Sequence, residues 1–345
     1  MLSPKITFQI VTWNSIKYIG ECVESILRQT HREFQILVID NNSQDGTVKF
    51  LKTNYPDITV FQNNKNLGFA KANNQGIRLL NSPYIITCNP DIVLEDNWLE
   101  NIMAVAESDK YSEYGSFGGK MLKSRIVNAD TNELERSNII DSCGLKIENN
   151  FRVVELGAGQ DGDAFVSNQE VFGHCAGLAL YKREALNDVC LGNQEGTTSE
   201  CFDEDFFIYK EDIDLAWRLQ LFGWKSFLVP MAKAYHVRSL AGSEKRKFMD
   251  IFKLRRKQSK ISRFYSFRNH WFMLVKNLQA ENLKKYWPNI LGYEFKKVLY
   301  ILFLEWSSIK ALGQILKLLP KMLAKRKKIM KKARVEARYL RHWIN

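Results

Sequence analysis

Residues 6–14 read Ile-Thr-Phe-Gln-Ile-Val-Thr-Trp-Asn, an apolar run that ends abruptly in polar residues. The same change recurs twice within the first ninety residues. Phe34–Ile39 (FQILVI) runs into Asp40-Asn41-Asn42-Ser43, and Tyr84–Cys88 (YIITC) runs into Asn89-Pro90-Asp91. Short apolar runs bounded by turn formers read as buried strands. After the first run, Ile16, Ile19, Val23, Ile26 and Leu27 share one face of a helix. Ser43 to Tyr55 predicts a second helix, stopped by Pro56, and Ile58–Phe61 a short third strand. Gly68 to Leu80 predicts a third helix before the strand at Tyr84. This βαβαβαβ rhythm implies an α/β fold with a largely parallel central sheet and helices on its faces. Ligands of such sheets bind outside the carboxyl ends of the strands, where the polar clusters fall.

Outward from this core the signals vary. Between about Tyr111 and Asn168, Gly, Asn, Asp and Ser are frequent and periodicity is poor, which predicts loops and antiparallel strands. Val171 to Tyr181 is again apolar and holds Gly173, His174 and Gly177. Glu211 to Phe222 predicts a helix, with Ile213, Leu215, Ala216, Leu219 and Phe222 as its apolar set and Gly223 as its cap. Ser226–Val229 predicts a last strand, ended by Pro230. Beyond Ser239 the chain reads as helical and basic, with Leu312, Ile315, Leu316, Leu319 and Leu323 at helical spacing.

The 345 residues are 45% hydrophobic and 26% charged, which excludes a disordered, collagen-like or small disulfide-stapled protein. No apolar run approaches the ~20 residues of a membrane-spanning helix, and the amino terminus carries no secretory signal pattern. The six cysteines are scattered without a CxxC pair or a zinc spacing, which predicts reduced, buried thiols in a cytosolic protein. Net charge is +12, unevenly placed: residues 243–270 carry +8 and residues 320–345 carry +9. Subtracting both leaves −5 for the remainder, so a mildly acidic body precedes a basic carboxyl-terminal region. The expected division is 1–242, with a first half to about 110 and a second from 111, followed by a basic helical region 243–345. Such basic blocks point to a polyanion. Leu, Ile, Met and Trp interspersed among the basic residues favour an anionic membrane surface. No nucleic-acid-binding signature is present, and nucleic acid is not an expected partner.

Three acidic positions carry the chemistry. Asp40, at a strand end, either accepts a hydrogen bond from a nucleobase or caps the next helix. Asp91 either supplies the carboxylate that a hard cation needs or belongs to an ordinary Asn-Pro-Asp turn; Asn89 beside it supplies a weaker ligand or a sugar contact. Glu211-Asp212-Ile213-Asp214 opens a helix, where acids favour the dipole, or presents one carboxylate as a general base. His236 after the last strand is either structural or a metal ligand.

Together these segments resemble the family 2 glycosyltransferases, inverting enzymes of the GT-A fold, and within them the rhamnosyltransferase-like branch. Val11-Thr12-Trp13-Asn14 is similar to the opening V-T-[YW]-N, and Val38-Ile39-Asp40-Asn41-Asn42-Ser43 with Asp45-Gly46-Thr47 to V-D-N-x-S-x-D-G-[ST]. Asn66-Leu67-Gly68-Phe69 onward to Gly76 is similar to N-x-G-F-[AG]-x-[AG]-x-N-x-G. Asn89-Pro90-Asp91 stands in the place of the D-x-D metal motif with one carboxylate instead of two. Gly173-His174-Cys175-Ala176-Gly177 resembles the acceptor-side segment, Glu211 to Leu219 resembles E-D-x-D-L-x-x-R-[LV], and Phe264 to Asn269 resembles [FY]-Y-x-x-R-N. The resemblance implies a glycosyltransferase of the hexosyl class acting in cell-surface polysaccharide biosynthesis. It implies a nucleotide-sugar pocket lined by Thr12, Asn14, Asp40, Asn42, Asn66, Gly68, Lys71, Asn73, Asn89 and Asp91. It implies a divalent cation (Mg²⁺ or Mn²⁺) on Asp91 helped by His236, and Asp212 as the base with Glu211 as its rival. His174, Trp217, Arg218 and Arg238 fall on the acceptor or diphosphate side. The branch points to dTDP-L-rhamnose as donor, with UDP-hexose or galactofuranose donors as the alternative, and to a polyprenyl-diphosphate-linked glycan acceptor. The expected location is cytoplasmic, peripheral on the inner face of the cell membrane. The non-enzymatic alternative is a basic membrane- or nucleic-acid-binding protein.

Overall fold

A computed structural model describes residues 4–128, 133–192, 200–237 and 259–344. The predicted alternation is present at the amino terminus: β1 (Ile6–Thr12), α1 (Ile16–Leu27), β2 (Phe34–Asp40), α2 (Thr47–Asn54), β3 (Thr59–Gln62), α3 (Phe69–Leu79) and β4 (Tyr84–Cys88). Then follow β5 (Ile92–Leu94), α4 (Trp98–Ala106), β6 (Tyr114–Asn128), β7 (Glu133–Ser142), β8 (Leu145–Ile147), β9 (Val153–Glu155), β10 (Gln169–Val171) and β11 (Leu178–Lys182). The chain continues through α5 (Arg183–Val189), α6 (Glu211–Leu221), β12 (Lys225–Val237), α7 (Lys260–Asn277), α8 (Ala280–Leu304), α9 (Ile309–Lys332) and α10 (Ala337–Leu340).

β1 to β4 pair in parallel in the order β4-β1-β2-β3, so Thr12, Asp40 and Cys88 end on one edge. β11 adds to β4 antiparallel, and β6, β12 and β10 extend the sheet beyond it. Side chains alternate across the sheet and feed two core clusters. Ile86 and Leu180 face the cluster with α1 and α4, while Ile85 and Tyr181 face the one with α3, α5 and α6. β12 runs on past the predicted stop at Pro230, because a register shift between Val229 and Lys233 absorbs a residue without a ladder donor.

The basic carboxyl-terminal helices belong to the second cluster. Phe267, Phe272 and Met273 of α7 and Ile315, Met322 and Ile329 of α9 are buried in it together with Trp217 and Leu219 of α6. The last residues turn inward as well: Leu340 is buried, Trp343 meets Phe172 edge-on, and Ile344 bridges to Ile147. They complete the packing instead of presenting an apolar edge to a membrane. The expected boundary at 242/243 lies outside the described residues. One cysteine expectation is corrected too. Cys190 and Cys201 form a disulfide, because the Leu191–Glu200 bridge sets them side by side, while Cys22, Cys88, Cys143 and Cys175 are not in disulfides.

Candidate active site

At the ends of β1 and β2, Asp40 is wholly buried. Its Oδ1 accepts from the Thr12 hydroxyl at 2.9 Å and the Ser43 hydroxyl at 2.5 Å, and its Oδ2 accepts from the Ser43 N–H at 2.9 Å. Three donors compensate a buried charge that would otherwise be costly. Asp40 therefore fastens two loops together. Thr12 serves the same knot. Asn14 and Asn42, both in left-handed backbone conformations, and the largely exposed Trp13 stand at the rim of these loops. Asn66 turns its Oδ1 to the Gly68 N–H at 2.8 Å. Gly68 has φ 81°, and a Cβ there would lie 2.5 Å from the Phe207 carbonyl oxygen, so glycine is required. Lys71 is exposed and 3.6 Å from Glu204. Asn73 is buried and committed internally: it accepts from the Gln9 amide and donates to the Phe69 carbonyl, which removes it from the expected pocket.

Asp91 follows β4. Its Oδ2 lies 3.3 Å from His236 Nε2, and His236 Nδ1 lies 2.9 Å from Asp141 Oδ2. β12 brings His236 there by pairing Ile92 with His236, while the Val237 N–H donates to the Asp91 carbonyl at 2.9 Å. Asp91 Oδ1 is buried with no hydrogen-bond partner. An orphaned carboxylate oxygen beside a nearly buried imidazole, whose far nitrogen is held by a second carboxylate, is the donor set of a divalent cation site. The residues present thus fit a cation whose remaining ligands come from a diphosphate. Among the described residues no group of three or more His, Cys, Asp or Glu side chains forms a cation site by itself.

Asn89 joins this corner to the acid cluster. Its N–H donates to the Gly177 carbonyl at 2.7 Å, and Cys175 and Ala176, just before, touch Asp212. Asp212 is half-buried at the start of α6. Burial pushes its carboxyl above the usual value, opposed by the Ile213 N–H and the Cys175 thiol. Glu211 is deeper, with Oε2 unpartnered; burial and then the Asp212 charge push it well above the ordinary range. Asp214 points the other way. Burial would raise it, but Lys276 and Arg218 outweigh that and hold it below the usual value. Of the three acids, only Asp212 is incompletely buried, and it combines contacts to Cys175 and Ala176 with a carboxyl tuned upward, as a general base requires.

The loop before α6 is strained. Phe207 (φ 65°, ψ −62°) is the centre of a γ-turn closed by Ile208 N–H to the Phe206 carbonyl at 2.7 Å, and Tyr209 and Lys210 have φ of 70° and 69°. Asn269 of α7 donates its amide toward the carbonyls of Phe206, Ile208 and Tyr209 at 2.8–2.9 Å, and Arg268 donates to that of Asp205. Tyr265 stacks on Phe207 with centroids 5.1 Å apart.

Three residues expected on the acceptor side lie in the core. His174 is buried against Gly118 with Nε2 3.1 Å from the Phe227 carbonyl, and burial lowers its pKa to about 4. Trp217 stacks on Phe151, and Arg218 is buried on Asp214 and the carbonyls of Val189 and Cys201. α6 is buried nearly all round, so both residues lie inward although they fall outside the predicted apolar set. Arg238 lies outside the described residues. Sequence reasoning missed Asp141, which sits in the stretch of poor periodicity, and the latch role of Arg268 and Asn269, whose only signal was the last motif.

The profile described as glycosyl transferase family 2 matches residues 7–190, more than half of the chain. An N-acetylglucosaminyl-diphospho-decaprenol L-rhamnosyltransferase of Mycobacterium tuberculosis is 24% identical over 66% of this chain and 74% of its own length. Other curated glycosyltransferases are matched over two fifths or less of their own length, 40% in one case. Among solved structures, residues 1–349 of S. aureus TarS superpose with a TM-score of 0.54 at 16% identity, covering 98% of this chain and 91% of that one. GalNAc-T7, solved with UDP, GalNAc and Mn²⁺, superposes with a TM-score of 0.56 at 15% identity, covering 80% and 48%. With the parallel strands, the loop knot at Asp40 and the Asp91 corner inside the matched span, the chain belongs to glycosyl transferase family 2 and has the GT-A fold.

Proposed function

We propose that the protein is an inverting transferase that moves a sugar from a nucleotide diphosphate to a hydroxyl of a lipid-linked glycan, with L-rhamnose from dTDP-L-rhamnose as the donor. The likeness to the mycobacterial rhamnosyltransferase supports the sugar and the lipid-linked acceptor. The observation that carries the mechanism is a pair of unlike carboxylates linked through the Asn89–Gly177 hydrogen bond: Asp91, with Oδ1 unpartnered beside His236, and Asp212 at the start of α6, half-buried and tuned upward. Asp91 and His236 would hold a divalent cation, with Asp141 fixing the imidazole so that Nε2 faces the site. Bound there, the cation would neutralise charge on the leaving diphosphate, a contribution of several kcal/mol. Trp13 and Asn14 border the donor. Asp212 takes the proton of the acceptor hydroxyl as its oxygen attacks the anomeric carbon from the face opposite the diphosphate. One displacement inverts that centre, and no nucleophilic side chain is needed.

Asp212→Asn keeps the shape but cannot accept a proton, so transfer should fall by about 10³-fold, within the range for a lost general base. Glu211→Gln should retain turnover within about threefold, since burial disfavours the charged form of that deeper carboxyl, the form a base needs. Product formation from dTDP-L-rhamnose, followed by mass spectrometry, measures both. A dead Glu211→Gln beside an active Asp212→Asn would reverse the assignment.

A further inference from the structure

The expected anchor at the end of the chain packs inward, yet a different part of the carboxyl-terminal region exposes apolar side chains in number. α8 and α9 meet at an elbow of 114° around Glu305. Along α8, Leu283, Trp287, Leu291 and Phe295 recur at every fourth residue and are all more than two-fifths exposed. At the apex Phe303 and Trp306 are 73% and 74% exposed, and Leu316 on α9 is 71% exposed. Exposed large apolar side chains in this number, on two adjoining helices, mark a contact site.

The surrounding charge identifies the partner. Between residues 282 and 335 the only acids are Glu294 and Glu305, against fourteen Lys and Arg. Both acids are buried and paired internally: Glu294 lies 2.8 Å from His270, and Glu305 accepts from the Ser308 hydroxyl at 2.6 Å and lies 3.7 Å from Arg263. Apart from Glu281 in the first turn of α8, which lies 3.7 Å from Arg341, the exposed charge of the elbow, including Lys284, Lys296, Lys310 and Lys317, is of one sign. A second copy would bring the same sign to the contact and be repelled. Aromatic and aliphatic side chains framed by lysines suit the boundary between acyl chains and anionic headgroups. No single described helix is long and apolar enough to cross a membrane; α8 and α9 reach that length and hydropathy only together, as a pair bent by 114°.

We infer that the α8–α9 elbow docks the protein on an anionic lipid surface, with Phe303 and Trp306 entering the headgroup region and the flanking lysines facing the lipid charge. The elbow is coupled to the site: Arg263 joins it to α7, the helix whose Asn269 holds the loop before Asp212. The inference extends the proposed function by bringing the acid cluster to the surface that carries a lipid-linked acceptor. Its test reads binding without substrate, so it fails or stands separately from that reading.

The full chain is sedimented with vesicles of phosphatidylcholine alone and of phosphatidylcholine with phosphatidylglycerol, at low and high salt. Wild type should pellet with the anionic vesicles at low salt. Phe303→Ser/Trp306→Ser should lower partitioning about tenfold through lost apolar burial. Lys310→Glu/Lys317→Glu should lower it by about 25-fold or more on anionic vesicles only, since each lysine contributes about fivefold near an anionic surface and the reversed charge is repelled. This second variant keeps the test open if the serine variant is insoluble. Wild type that stays in the supernatant, or variants that pellet like wild type, would overturn the inference. So would light scattering that finds a wild-type dimer turned to monomer by Phe303→Ser/Trp306→Ser, which would assign the surface to a second copy.

Discussion

Asp91 reaches its place at the end of a strand paired on both sides, and its neighbours His236 and Asp141 arrive on strands of the same sheet. Asp212 follows a γ-turn and two further residues with positive φ, and its loop is held by amides from α7, far along the chain. Below it, Lys276 of α7 pairs with both Asp203 and Asp214, and Lys325 of α9 pairs with Asp203 and Asp205. Sheet register thus fixes the donor corner, while the acid cluster depends on helices that look in sequence like a basic appendage. The difference teaches that the carboxyl-terminal region works as part of the catalytic body, whatever surface it also presents.

This contrast can be broken at Asn269. Asn269→Ala releases three carbonyl contacts from a strained loop without touching the donor corner. Turnover should fall by about 10²-fold, the cost of a misplacement near 1 Å, while the donor KM stays within about twofold. Steady-state kinetics at varied donor concentration separates the two. A rise in donor KM with unchanged kcat would mean that α7 supports the donor corner instead.

A smaller effect sharpens the comparison through pH. The Glu211 carboxyl is raised in the folded state, so folding favours its proton; that contribution is full below the usual carboxylate value and is lost as pH rises through the folded value. Glu211→Gln should raise Tm by about 2 °C near neutral pH, with no gain near pH 4, where the native carboxyl is already protonated. His174 acts with the opposite sign. Its pKa of about 4 makes stability fall as pH drops below its unfolded value toward 4. Thermal melts of Glu211→Gln against wild type check the first sign and the acid limb of wild type the second, and a variant that melts like wild type at all pH values would place the Glu211 charge in solvent.

Most of the amino-terminal half was legible because each strand there is a short apolar run ending in a polar cluster, and period-two and period-3.6 patterns follow from local chain geometry. Asp91 and Asp212 could be singled out for the same reason, as acids at element ends. Two things were not legible. Long-range partners leave no local trace, so Asp141 beside His236 and the Cys190–Cys201 bond had no signal in spacing. Charge composition also misled: Lys276 and Lys325 count toward a basic region, yet Lys276 is fully buried and Lys325 nearly so, both on aspartates of the main body. His174, Trp217 and Arg218 show the complementary error, in which polar or aromatic residues inside a motif serve packing.

The most direct test is calorimetric titration of dTDP-L-rhamnose, with and without Mg²⁺, into Asp212→Asn and Asp91→Asn side by side. The account predicts that Asp212→Asn binds donor like wild type and keeps the Mg²⁺ dependence, whereas Asp91→Asn loses the Mg²⁺-dependent part, about tenfold or more. Loss of donor binding in Asp212→Asn, or Mg²⁺-dependent binding that survives in Asp91→Asn, would contradict it.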